Sequence, residues 1–174
     1  MMKISKLKLK DLLLIEPKSY FDKRGSFMES YRKDILSDYF KKEFVQDNLV
    51  DSSRGVLRGL HFQVNKPQDK LIQVIYGEIF DVAVDVRADS PTYGEWLGIS
   101  LSCENKKQLL VPAGYAHGYC VLSKTAKVLY KCTDYYDPDD QHGYIWNDST
   151  LNIKWPIKNP VISLKDSKLQ KFKA

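Results

Sequence analysis

Residues 71–87, LIQVIYGEIFDVAVDVR, carry the clearest alternation in the chain. Side chains two apart share one face of a strand. Phe80, Val82, Val84 and Val86 therefore fall on one face, and Asp81, Ala83 and Asp85 on the other. Gly77 divides the run, which predicts two strands with a turn or bend between them. The segment 3–17 alternates lysine with apolar residues, enters the run Leu12-Leu13-Leu14-Ile15 and stops at Pro17. The segments 94–102, 107–123 and 126–136 continue the rhythm of short strands and turns, and 144–156 and 160–166 read as loops with short strands. Residues 32–44 differ: Ile35, Leu36, Tyr39 and Phe40 follow helical spacing with lysines opposite, which predicts a short helix.

Many short strands punctuated by Gly and Pro predict an all-β fold, an antiparallel sandwich or barrel. A jelly roll is the expectation within that class, with a few short helices and one domain over residues 1–174. No internal repeat appears, and no alternation of strands with long helices. Neither a G-x-x-x-x-G-K-[ST] loop nor a G-x-G-x-x-G turn is present.

Composition narrows the partners. Hydrophobic residues make up 43% and charged residues 28%, enough for a core and a polar surface. The net charge of +5 is mild. The lysines at 165, 168, 171 and 173 read as a solvated tail, so no nucleic-acid partner is expected. A modest positive balance suits a small anionic ligand. Eleven tyrosines supply rings with polar tips for a pocket wall. Three cysteines, 103, 120 and 132, match no disulfide or zinc spacing, which predicts a reduced, cytoplasmic protein. No apolar run approaches the roughly 18 residues of a membrane span.

The candidate chemistry gathers around SSRGVLRGLHFQ, residues 52–63. His61 has the ordinary titration range of a general base. Arg58 lies three residues earlier, so in a plain strand the two would point to opposite faces. A bulge at Gly59 is needed to aim both at one ligand. Lys70 opens a strand, where it can meet a phosphate or a developing oxyanion. Neither His61 nor His117 has the second histidine of a His-x-His metal pair, so no metal or other cofactor is expected. No Ser or Cys has a nucleophile setting. A base, two cations and a tyrosine-rich wall point to an anionic substrate with a removable proton.

Seven blocks then carry a resemblance over nearly the whole chain: DKRGSFMES, VQDN, RGVLRGLHFQ, the stretch from Asp69 to Trp96, VPAGYAHGY, YKCTDYY and WND. In this order and spacing the chain resembles the dTDP-4-dehydrorhamnose 3,5-epimerases, metal-free jelly-roll enzymes of dTDP-L-rhamnose biosynthesis. The resemblance implies a nucleotide-linked 4-keto-6-deoxyhexose as substrate. His61 would be the base, Asp166 the carboxylate behind it, Tyr130 the acid on the other face and Lys70 the group at the enolate oxygen. Arg24 and Arg58 would grip the diphosphate and its surroundings. Glu29 and the Gln46-Asp47-Asn48 run would make further substrate contacts. His117 would bind near the sugar, Tyr136 would stack on the thymine, and Lys165 would be a late contact. Gln141 stands where the family usually has a glutamate, and His142 has no matching role. The early segment with Arg24 and Glu29 would cross to a second subunit, so a homodimer is implied. A 3-epimerase, an epimerase of another nucleotide sugar, a ketoisomerase, a non-catalytic sugar-nucleotide-binding module and a metal-dependent enzyme remain as alternatives.

Overall fold

A computed structural model describes residues 2–173. Thirteen strands are present among the described residues. They are β1 (Lys3–Lys6), β2 (Leu13–Glu16), β3 (Ser19–Asp22), β4 (Gly25–Met28), β5 (Gln46–Ser53), β6 (Leu57–Gln63) and β7 (Lys70–Tyr76). Then follow β8 (Glu78–Asp85), β9 (Trp96–Ser102), β10 (Gln108–Val111), β11 (Tyr115–Val121), β12 (Thr125–Cys132) and β13 (Gln141–Gly143). Two antiparallel sheets result, in the orders β1-β2-β10-β7-β12-β5 and β13-β6-β11-β8-β9, and β3 and β4 pair as a separate hairpin. The expected antiparallel jelly roll is the architecture found.

Gly77 marks a change of sheet, not a hairpin. β7 lies in the six-stranded sheet and β8 in the five-stranded one. Gly77 takes φ 76° there, and an added Cβ would stand 2.1 Å from the Thr125 carbonyl oxygen. Only glycine suits a left-handed bend pressed against backbone.

Apolar residues fill three layers. Between the sheets lie Ile72, Val74, Ile79, Leu101, Leu109 and Val128. On the outer face of the five-stranded sheet, Leu60, Val82 and Val84 pack beneath Leu151 and Phe172 from the C-terminal segment. On the outer face of the six-stranded sheet, Leu13, Ile15, Leu71 and Leu110 pack beneath Leu36, Phe40 and Phe44. The alternation read in β8 holds, and both of its faces are covered. Val82 and Val84 look outward to the C-terminal segment, while Ala83 looks inward. Asp81 and Asp85 share that inward face and are fully buried.

The helix expected over 32–44 is one turn, α1 (Lys33–Leu36). Arg32 at its start makes no capping hydrogen bond, and Ser37 Oγ turns back to the Asp34 carbonyl oxygen at 2.8 Å. Short polar side chains that bond the local backbone end helices in this way. The aromatic residues find partners without helical spacing: Phe40 stacks on Phe44, and Tyr31 meets Phe44 edge-on. A 3₁₀ turn, Asp166–Lys168, lies near the end of the chain.

Candidate active site

The bulge required between Arg58 and His61 is present. His61 pairs with His117 and Arg58 with Tyr119, so two steps on β11 face three on β6. Gly59, at φ 117°, takes up the extra residue, and the Gly59–Leu60 peptide is cis. A Cβ on Gly59 would stand 2.6 Å from Gly118 Cα, so the strands close here only around glycine. The consequence is that Arg58 and His61 both line one cleft of about 500 Å³. A second lobe of about 260 Å³ shares His61, Lys70, Tyr130, Tyr136 and Gln141 with it.

The two sheets supply opposite walls. His61 and His117 come from the five-stranded sheet; Lys70, on β7, and Tyr130, on β12, come from the six-stranded one. Asp166 arrives separately. The C-terminal segment is tied to β6 where Leu57 N–H donates to the Val161 carbonyl at 2.9 Å. Ser163 Oγ then accepts the Asp166 N–H at 3.0 Å. This brings Asp166 Oδ1 to 2.8 Å from His61 Nε2. A carboxylate at Nε2 selects the tautomer protonated there and leaves the Nδ1 lone pair to take a proton. Burial opposes the charge on Asp166. Its bonds from His61, from the Gly59 N–H and with Ser163 outweigh that, and the carboxyl is held below its ordinary range.

A second histidine–carboxylate pair adjoins the first. His117 Nε2 is 3.0 Å from each carboxylate oxygen of Asp81. Burial lowers the Lys70 ammonium below its ordinary range, with Cys132 and Asp81 pulling the other way. Burial raises the Tyr130 phenol, and Cys132 adds to it while Arg58 opposes. Tyr130 therefore holds a proton to give, and Lys70 is poorly solvated and strongly attracted to developing negative charge.

The remaining expected residues divide. Gln46 and Asn48 face the smaller lobe. Gln46 Oε1 accepts the Tyr136 N–H at 3.0 Å and Gln46 Nε2 donates to Asn48 Oδ1 at 3.0 Å. Asp47 alternates to the other face of β5 and pairs with Lys131 at 2.8 Å, so it does not reach the cleft. At the mouth, the Tyr136 hydroxyl donates to Gln141 Oε1 at 2.5 Å and Lys165 Nζ approaches the same oxygen at 3.3 Å. His142 stacks on Phe62 and takes no part in the cleft. Arg24 sits at the tip of the β3–β4 hairpin, paired with Asp22 at 2.6 Å, and Glu29 follows the hairpin beside Arg32. Neither lines this chain's cleft. Among the polar residues that a reading of the sequence misses are Asp81, buried behind His117, and Tyr119, within the cleft wall. The available signal was spacing by two: Tyr119 shares the face of His117, and Asp81 shares that of Ala83. Among the described residues no three His, Cys, Asp or Glu side chains gather as a metal set. The three cysteines are unpaired. No described helix is long and apolar enough to cross a membrane.

Comparison with known proteins agrees with this geometry. The family model described as dTDP-4-dehydrorhamnose 3,5-epimerase matches residues 6–174. The chain is 48% identical to the dTDP-4-dehydrorhamnose 3,5-epimerase of Shigella flexneri, over 98% of this chain and 96% of that one. The solved structure of the Bacillus anthracis enzyme of that name, with TDP and PPi bound, superposes with a TM-score of 0.96 at 47% identity, over 99% of this chain and 100% of that one. A dTDP-6-deoxy-D-glucose-3,5-epimerase from Legionella pneumophila, in complex with dTDP-4-keto-L-rhamnose, superposes with a TM-score of 0.94 at 43% identity, each chain fully covered. Fold and cleft thus define an isomerase of the cupin-like jelly-roll class. Within that class, the chain belongs to the dTDP-4-dehydrorhamnose 3,5-epimerase family.

Proposed function

We propose that this chain converts dTDP-4-dehydro-6-deoxy-D-glucose to dTDP-4-dehydro-L-rhamnose by inverting C3 and C5. One observation carries the residue roles: a carboxylate-backed histidine on one wall and a protonated tyrosine on the other share a cleft with a desolvated lysine. The C4 carbonyl acidifies the C–H bonds at C3 and C5. His61 Nδ1 takes the proton, and the C–H electron pair moves into the carbonyl to form an enolate. Lys70 faces the enolate oxygen. Tyr130 gives its hydroxyl proton to the opposite face of the same carbon, and the double bond collapses back to the ketone. The imidazolium and the phenolate return to their starting states by exchange with water. A positioned acid or base contributes about 10² to 10⁴ in rate, and an oxyanion donor about 10² to 10³. Arg58, on the phosphate side, suits a diphosphate through its multi-donor fork. The chemistry asks for no metal or organic cofactor.

The active form in this reading is a homodimer. Tyr20, Phe21 and Phe27 on the β3–β4 hairpin are 49%, 75% and 65% exposed. Aromatic residues so exposed favour a partner surface. A second copy would cover them and receive Arg24 and Glu29 at its cleft.

The test is solvent-proton exchange. The protein, freed of added metal, is incubated in deuterated water with the 4-keto sugar nucleotide, and C3 and C5 are followed by NMR. Deuterium at both carbons with an L-sugar product is expected. Exchange at C3 alone would assign the chain to single-centre epimerisation. Tight binding without exchange would leave it a sugar-nucleotide-binding module.

A further inference from the structure

Tyr119 is only 4% exposed, and its hydroxyl has no hydrogen-bond partner. Its ring packs in the layer between the sheets and lines the cleft. A phenylalanine would fill that volume equally well, so packing does not account for the oxygen. A buried hydroxyl without a partner has lost water and gained nothing in return. Gln108 has the other orphaned oxygen among the described residues, but it lies outside the cleft and its amide nitrogen is bonded to the Ser30 carbonyl.

The neighbours of Tyr119 identify what is missing. Arg58 is its register partner on β6, and the guanidinium lines the same cleft. Arg58 Nε is held by Ser52 Oγ at 3.2 Å. Ser52 lies close to the phenol as well, without the two hydroxyls reaching bonding contact. Burial pushes the phenol up to about 12 against the pull of Arg58, so it keeps its proton. A guanidinium and a phenol O–H thus adjoin one cleft end, and among the described residues no carboxylate bonds to either. An unpartnered phenol O–H beside a guanidinium with no carboxylate partner calls for an anionic oxygen.

We propose that Tyr119 is a substrate-binding residue whose hydroxyl donates a hydrogen bond to the phosphate oxygen that Arg58 grips. The proposal rests on the reading of this cleft as a site for a nucleotide diphospho-sugar. Tyr119→Phe removes one unpartnered oxygen, so its melting temperature should equal or exceed that of the wild type. Titration with thymidine diphosphate should show binding weaker by about tenfold, the factor one hydrogen bond to a charged oxygen supplies. Binding of unphosphorylated thymidine should not change. KM for the sugar nucleotide should rise with kcat nearly unaltered. Tyr119→Phe made on top of Arg58→Lys should cost less than on the wild type, because the two donors share one acceptor. Equal thymidine diphosphate affinity in Tyr119→Phe and wild type would overturn the proposal and leave the function intact. A fall in kcat at unchanged affinity would also overturn it, by moving the hydroxyl to the reacting sugar. A wild type that binds no thymidine diphosphate would remove the functional reading and this proposal with it.

Discussion

Two histidines of the five-stranded sheet, side by side on β6 and β11, are each paired with an aspartate, and the two pairs differ in access. In the His61–Asp166 pair the side chains are 26% and 6% exposed; in the His117–Asp81 pair they are 9% and 0% exposed. Asp166 presents one oxygen to His61 from a separate segment. Asp81 presents both oxygens to His117 from the neighbouring strand. The residue types are identical, so the pairing alone does not make a base. Access does. A base must reach substrate with one nitrogen while the other is held, and only the open pair combines both. The closed pair is suited to orienting the wall beside Lys70.

The contrast gives an ordered set of expectations. His61→Ala should lower kcat by about 10³ to 10⁴ and abolish exchange at both carbons, while His117→Asn should lower it less than about tenfold. Equal losses, measured by deuterium uptake, would erase the distinction. Lys70→Met should cost about 10² to 10³ in kcat yet raise the melting temperature. The sign follows from burial. Lys70 has a folded pKa below its unfolded one, so the unfolded chain binds the extra proton and stability rises with pH across the window below about 10.5. Below that window the charged lysine is a standing cost, which Met removes. A melting temperature that falls instead would mean that Lys70 is well paired.

Asp166→Asn should lower kcat by about 10², since a neutral amide can donate to Nε2 as well as accept from it and no longer fixes the tautomer or favours the imidazolium. Its stability should also depend on pH in a defined way. The Asp166 carboxyl is depressed, so its contribution is present above the unfolded value of about 3.9 and is lost as pH falls through the folded value. The gap in melting temperature between wild type and Asp166→Asn should therefore close on acidification below about pH 4. A constant gap would show that the Asp166 carboxyl is not held below its ordinary range. The smallest activity effect, His117→Asn, should carry a large stability cost. It leaves Asp81 buried without its partner, at about 3 to 5 kcal/mol, readable by urea denaturation. A variant of wild-type stability would show that the closed pair is dispensable to the fold.

The strands and the meeting of Arg58 with His61 are readable from residues because both depend on local spacing, whereas Asp166, 105 residues from His61, enters only through the family resemblance. Alternation in β8 gave its faces, and the odd separation of Arg58 and His61 demanded the bulge found at Gly59. The helical spacing over 32–44 outruns the one-turn α1 because Leu36, Phe40 and Phe44 share an apolar cluster on a sheet, and a cluster satisfies helical spacing without a helix. Asp47 was grouped with Gln46 and Asn48 by adjacency, but neighbours in a strand point apart. The β3–β4 hairpin went unread because its aromatic residues are exposed and show no inward face. Asp81 became recognisable only when β11 was set against β8, a pairing between distant segments.

The bridge that carries Asp166 to His61 has a consequence for the order in which the protein becomes active. His61, the proposed base, is encoded before the midpoint of the chain, and its carboxylate partner 105 residues later. A nascent chain on the ribosome can have every strand of both sheets outside the exit tunnel and still hold an imidazole without its partner. Catalytic power would then arrive after the sheets have assembled, as a late step in synthesis. A protease that trims the chain just before Asp166 would leave every strand of both sheets in the chain but take away the carboxylate partner of His61 and the Phe172 cover of the five-stranded sheet.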